Sequence, residues 1–158
     1  MKKIDVMWVG LSAKNGKTGE KLSPLGEQSN SGRVIGAIEG RCPGVRFYRT
    51  NLVKNVPLDE KGKLRYPNYE EMRIAMPVLL REIQIYRPEI IVLLGGQVSK
   101  FIEKYLEQEK MKLSAQICRV YHPSYIYIYK RKHIEDYILR ISKKIEDQVG
   151  GKIDNTKK

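Results

Sequence analysis

Apolar positions along the chain follow two rhythms. Some fall in short β-favouring runs: Ile4 to Leu11, Val45 to Val53, the stretch Pro88 to Gly96 (PEIIVLLGG), and Ala115 to Ser124 (AQICRVYHPS), which stops at His122-Pro123. Runs of this kind, closed by Gly or Pro, read as strands, and PEIIVLLGG has the unbroken apolar character of a strand buried on both faces of a parallel sheet. The others recur every three or four residues and read as helices. A short helix is predicted over Ser31–Ile38, and longer ones over Glu70–Arg87 (Met72, Met76, Leu79, Leu80, Ile83, Tyr86), over Gln97–Glu109 and over His133–Val149 (Ile134, Tyr137, Ile138, Ile141, Ile145, Val149). Pro77 predicts a kink or a later start of the second helix, and Gly150-Gly151 predicts the end of the last. The resulting order βαβαβαβα predicts an α/β fold: three layers, α/β/α, around a central four-stranded parallel sheet. No repeat or linker interrupts it, so residues 1–150 are expected to form one domain and 151–158 a basic, flexible tail.

In such sheets, ligands bind at the carboxyl ends of the strands. The segments after the four runs are Gly10-Leu11-Ser12, Thr50 to Lys54, Gly95-Gly96-Gln97 and His122-Pro123-Ser124, and the fold places them on one rim. Residues 12–30 form a long loop, of a kind that is usually functional or mobile, and a second long loop spans 54–68. The first contains Gly10 and Gly16-Lys17-Thr18, superficially a phosphate-binding loop. That motif requires four residues between its first Gly and the Gly-Lys-Thr, whereas five intervene here, and Gly19, Pro24 and Gly26 continue as loop rather than as a phosphate-facing helix.

Charge narrows the partners. Thirty Lys and Arg against 18 Asp and Glu leave a net charge of +12. Such a surplus favours polyanions, nucleic acid ahead of anionic membrane, although a solubility bias accounts for composition alone equally well. Two cysteines, Cys42 and Cys118, form neither a disulfide framework nor a zinc or iron–sulfur ligand set. A reducing, cytoplasmic setting fits them. The apolar start is too short for a membrane span and contains Asp5.

Several rim residues carry chemistry. His122 can donate a hydrogen bond or act as an acid, or simply cap a local structure. Asn51 offers a donor and an acceptor suited to the edge of a base, or stabilises the turn that follows it. Glu27 can activate water or stand as an exposed loop acid. Ser29, Ser31 and Gly32 precede a helix, where free N–H groups hold phosphate or where an ordinary N-cap forms. After His122, Tyr125, Ile126, Tyr127 and Tyr129 run into Lys130, Arg131 and Lys132. Aromatics beside cations suit a nucleic acid, with a β-like core segment ending in a solvated basic patch as the plainer reading.

Four of these pieces together resemble the uracil-DNA glycosylase superfamily over about residues 4 to 140. Gly10 to Lys14 is similar to its first motif, the loop that positions water. Phe47 to Lys54 resembles the second, whose Asn contacts the flipped base. Pro88 to Gly95 resembles its third-strand signature, and His122-Pro123-Ser124 its last motif, whose His stabilises the leaving base. The resemblance implies a uracil-DNA glycosylase-like fold and a monomeric hydrolase that removes uracil or a related deaminated base from DNA during repair, with no cofactor and no metal. It implies His122, Asn51 and Glu27 as catalytic residues and Gly10, Leu11, Ser12, Leu22 and Asn51 as the base pocket. DNA contacts would come from Lys14, Ser31, Gly32, Lys54, Ser124, Tyr125, Ile126, Tyr127, Lys130 and Arg131. The chain departs from the pattern at several positions. Leu11 stands where one branch has an acid, and Ala13 where the family has Pro. Leu22 falls near the base-stacking aromatic, and Asn55 stands where the iron–sulfur branch has Cys. Two rivals follow: a member of this fold that binds nucleic acid with little or no catalysis, and an α/β enzyme acting on a free nucleoside or nucleotide.

Overall fold

The computed structural model describes residues 3–15 and 19–156, with side chains described as far as Val149. Gly16-Lys17-Thr18, on which the phosphate-loop comparison turned, lies outside the described residues, as do Lys157 and Lys158 of the tail.

Four parallel strands, β1 (Val6–Ser12), β2 (Phe47–Val53), β3 (Ile90–Leu94) and β4 (Gln116–Val120), form one sheet in the order β2-β1-β3-β4. Five α-helices join them: α1 (Asn30–Gly40), α2 (Tyr69–Tyr86), α3 (Gly96–Gln108), α4 (Pro123–Tyr129) and α5 (Ile134–Thr156). The sheet separates two apolar clusters. On one face Val6, Trp8, Val92 and Leu94 pack with Ile35 and Ile38 of α1, Ile126 of α4 and Ile138, Ile141 and Ile145 of α5. On the other Met7, Val9, Leu52, Ile91 and Leu93 pack with Met76 and Leu79 of α2 and Phe101 and Ile102 of α3. Every side chain of β3 is buried, which explains its unbroken apolar sequence. The three-layer α/β/α reading therefore holds.

Three local expectations are corrected. Helix α2 starts at Tyr69, ahead of Pro77, because Asn68 and Glu71 form a reciprocal capping box that satisfies the first free N–H groups. Met76 and Leu79, fully buried on either side of Pro77, anchor the helix through the missing hydrogen bond. Helix α5 runs through Gly150 and Gly151 to Thr156 instead of stopping there. The tyrosine-rich PSYIYIY segment, read as loop or β-like, is the short helix α4: Pro123 occupies its first turn and His122 is its N-cap.

Candidate active site

The carboxyl ends of all four strands open into one cavity of about 1260 Å³, lined by Leu11 and Ser12 at the end of β1, Asn51 in β2, Gly95 and Gln97 after β3, and His122 after β4. Residues separated by most of the chain thus meet where the parallel topology requires.

Asn51 is 4 % exposed, yet its carboxamide makes no hydrogen bond to the described residues and lines the cavity. Packing fixes it. Asn51 sits in register beside Gly10 of β1, and a Cβ on Gly10 would stand 2.6 Å from Asn51 Oδ1 and 3.2 Å from Leu25 Cδ2. Gly10 is therefore the absence of a side chain that gives Asn51 its place. A nearly buried amide without a protein partner is costly unless solvent or a ligand completes it, and here the cavity provides that access.

His122 is oriented from behind. Ser124 N–H donates to its Nδ1 at 3.1 Å, and Ser124 Oγ lies 2.8 Å from the same nitrogen. With Nδ1 accepting, the proton of the neutral ring belongs on Nε2, which makes His122 a donor toward the cavity it lines. Burial, reinforced by the positive charge of Lys14, pushes its pKa down to about 4, so the ring is neutral at physiological pH. Gly95, at φ +100°, passes beneath the ring: a Cβ there would lie 3.3 Å from His122 Cβ. The positive φ and the close approach both call for glycine.

The described parts of the first long loop are held by specific bonds. Leu22 N–H donates to Lys14 O, Gly26 N–H to Ser23 O, and Ser29 Oγ–H to Gly26 O. Arg49 of β2 reaches across to Leu25 O at 2.7 Å while pairing with Glu39 of α1, which also accepts from Trp8 Nε1. Glu27 lines the cavity as an exposed residue, and its Oε1 lies against α1, where a Cβ on Gly36 would be 3.3 Å away. Leu22 lines the cavity as an aliphatic side chain.

Of the expected DNA contacts, Lys14, Ser31, Ser124 and Tyr125 line this cavity. Several others have different roles. Gly32 N–H is taken by the N-cap Ser29 at 3.0 Å, and a Cβ on Gly32 would strike Gly26 O at 1.8 Å; this glycine lets helix α1 pack against the loop. Ser124 has both polar groups committed to His122. Lys54 is held inside by Glu82, Thr50 and the Asn51 carbonyl. Ile126 is 7 % exposed and packs into the core, because the helical form of this segment turns it inward. Tyr127 lies under the Arg131 guanidinium, 4.2 Å from ring centroid to Cζ, away from the lining residues. Lys130 and Arg131 stand exposed at the end of α4.

Helix α4 instead offers a different face. Tyr121, Tyr125 and Tyr129, spaced four residues apart, stack in a ladder with centroid separations of 5.6 and 5.2 Å, and Ile128 stands beside them. Tyr121 and Tyr129 are 69 % and 71 % exposed. Opposite, the 54–68 loop brings Leu64, Arg65 and Tyr66 into the lining. Arg65 binds Glu71 through two nitrogens and the Leu58 and Tyr66 carbonyls, so this arm is pinned to the start of α2. Sequence inspection did not single out Leu64, Arg65, Tyr66, Gln97 or Tyr121 as site residues. For Gln97 and the 54–68 loop the available signal was position after a strand; for Tyr121, which precedes the His122 cap, it was the four-residue spacing to Tyr125 and Tyr129, which gains meaning only with 123–129 as a helix.

Comparison with known proteins identifies the fold and the family. No curated protein matches the chain. A crystal structure of wild-type SMUG2 from Pedobacter heparinus superposes with a TM-score of 0.68 at 17 % identity, covering 94 % of this chain and 77 % of that one, which establishes the fold. The family model for the uracil DNA glycosylase superfamily matches residues 9–146, a span that begins one residue before Gly10 and contains Asn51 and His122. The chain belongs to the uracil DNA glycosylase superfamily.

Proposed function

We propose that the protein hydrolyses the N-glycosidic bond of uracil, or of a related deaminated base, in DNA. One observation carries this: the Asn51 carboxamide, without a hydrogen-bond partner among the described residues, and His122, whose Nδ1 accepts from Ser124 N–H, line the same cavity. That pair is suited to one planar ligand that must be read along an amide edge and that accumulates negative charge.

The target nucleotide leaves the base stack, at a cost of a few kcal/mol, and its base enters the cavity. Asn51 pairs with the amide edge, offering a donor and an acceptor. As the bond from C1′ to the base breaks, the electron pair stays on the base and positive charge develops on the sugar. His122 Nε2–H donates to the base oxygen that gains charge; a preorganised donor of this kind contributes about 2.7–4 kcal/mol, or roughly 10²–10³ in rate. Water adds to C1′, and its lost proton restores neutrality. Glu27 is assigned to orient that water, which requires its carboxylate to swing from α1 toward the sugar when DNA binds. The tyrosine ladder and the basic end of α4 meet the flanking nucleotides.

The test is incubation of purified protein with single- and double-stranded oligonucleotides carrying uracil, hypoxanthine or xanthine, followed by alkaline cleavage of abasic sites. Uracil or another deaminated base should be released, with loss of roughly 10²–10³ in single-turnover rate for His122→Ala and a comparable loss for Asn51→Asp, both remaining folded. Salt-sensitive binding without abasic product would favour the non-catalytic rival. Release from free nucleosides but not from DNA would favour the other.

A further inference from the structure

Behind the Asn51 backbone lies a network that the proposed chemistry does not use. Glu82 of α2 accepts from Thr50 Oγ1 at 3.0 Å and from the Tyr48 hydroxyl at 2.8 Å, and pairs with Lys54 Nζ. Lys54 Nζ also donates to Thr50 Oγ1 at 2.8 Å and to the Asn51 carbonyl. Thr50 is buried, and the Glu82 and Lys54 side chains are 15 % and 31 % exposed. Strand alternation explains the layout: Tyr48 and Thr50 point to the α2 face, while Arg49 and Asn51 point to the α1 face. On that second face Arg49, paired with Glu39, holds the carbonyl of Leu25, the residue packed beside Gly10 and Asn51.

We infer that the Lys54–Glu82–Thr50 network is a clamp that positions Asn51, with Lys54 acting on the backbone of the base-reading residue rather than on a DNA phosphate. The inference rests on the proposed role of Asn51 and extends it: the Thr50-Asn51-Leu52-Val53-Lys54 segment divides into one residue that faces the cavity and two that hold it from the opposite face. Lys54 is poorly placed for DNA because its ammonium already serves three acceptors, one of them a carboxylate that neutralises it.

Lys54→Met and Glu82→Gln test it. Each should lower the single-turnover rate of uracil release roughly 10- to 100-fold, the range expected when a reacting group loses its placement. DNA affinity and its dependence on salt should stay as in the wild type, since a lost phosphate contact would reduce the log–log slope by about 0.9. In an Asn51→Ala background, Lys54→Met should have no further effect on rate, the signature of action through Asn51. Lys54→Arg, which retains charge and reach, should recover much of the rate, and it stands in if Lys54→Met fails to fold. A reduced salt slope with an unchanged saturating rate, or additive losses in the double variant, would overturn the clamp. Should wild-type protein release no base at all, the functional proposal falls. The clamp is then judged by NMR: Lys54→Met should shift the Asn51 side-chain amide signals and leave those of the distant Asn68 in place. Unmoved Asn51 signals would overturn it.

Discussion

The two ends of the cavity are built differently. At the β2 end, Asn51 is enclosed: Gly10 and Leu25 pack against it, and charged pairs brace the strand on both faces, Arg49 with Glu39 on one and Lys54 with Glu82 on the other. At the β4 end, His122 is held by its neighbour Ser124 and backed by Gly95, and the chain then leaves the sheet as a seven-residue helix whose tyrosines are largely exposed. One end is fixed by tertiary structure and suits recognition of a small planar group. The other is fixed locally and presents aromatic surface outward, which suits contact with a long, variable partner. A site that must both read a base and hold the strand carrying it benefits from keeping these tasks on separate elements.

The sharpest way to break the enclosed end is Gly10→Ala. The added methyl would lie 2.6 Å from Asn51 Oδ1, and because Gly10 has no positive φ, the backbone itself accepts alanine. The displacement therefore falls on the carboxamide. The single-turnover rate of base release should drop by about 10², and stability by about 1–3 kcal/mol as the overpacked site adjusts. Rate is read with a uracil-containing oligonucleotide and stability by denaturant unfolding. Full activity in this variant would show that Asn51 placement does not limit the reaction.

The same contrast explains what the sequence allowed one to see. The sheet was legible because β3 is a continuous apolar run and the other strands are short β-favouring runs alternating with helical periodicity, and the rim followed from parallel connectivity, which located Asn51 and His122 together. The division of labour within motifs was not. Thr50 to Lys54 reads as one functional string, yet pleating sends Lys54 into an internal ion pair with a residue 28 positions later, and no local pattern announces Glu82. Ile126, expected at the DNA from its place among tyrosines and cations, turns inward in helix α4 while Tyr125 and Tyr129 align along it and stack with Tyr121 just before the cap. Pro123 and the β-favouring tyrosines obscured a helix that depends on the His122 cap and on packing against the core.

At the open end the effect should be smaller and of another kind. Tyr129 terminates the ring ladder with its side chain in solvent. Replacing it with alanine removes one stacking partner for a base, about 1–3 kcal/mol of binding, so affinity for a uracil-containing strand should weaken roughly tenfold while the rate at saturating DNA stays near that of the wild type. Fluorescence anisotropy with a labelled oligonucleotide measures the first and single-turnover cleavage the second. A loss of saturating rate with unchanged affinity would place Tyr129 at the reacting base instead and erase the distinction between the two ends.

The smallest effect concerns protonation, and it sharpens the comparison because His122 caps the helix that carries the exposed tyrosines yet is itself half-buried at the cavity wall. Its pKa is pushed down to about 4, first by burial and then by Lys14. The folded protein therefore keeps the ring neutral from pH 8 to pH 5, whereas an unfolded chain takes up a proton near the ordinary value of about 6.5. Between those two values the unfolded state binds more protons, so His122 withdraws stability as pH falls from about 6.5 toward 4 and has no effect above that range. NMR of the imidazole nitrogens should show Nε2–H throughout the neutral range and a midpoint near 4, and uracil release should show no inflection at 6.5 arising from this residue. Lys14→Ala removes the nearby positive charge and should move the midpoint upward, toward but not up to the ordinary value, because burial remains. A midpoint at 6.5 in the wild type would mean that His122 is solvated like the tyrosines that follow it, and that the buried half of the site ends at Asn51.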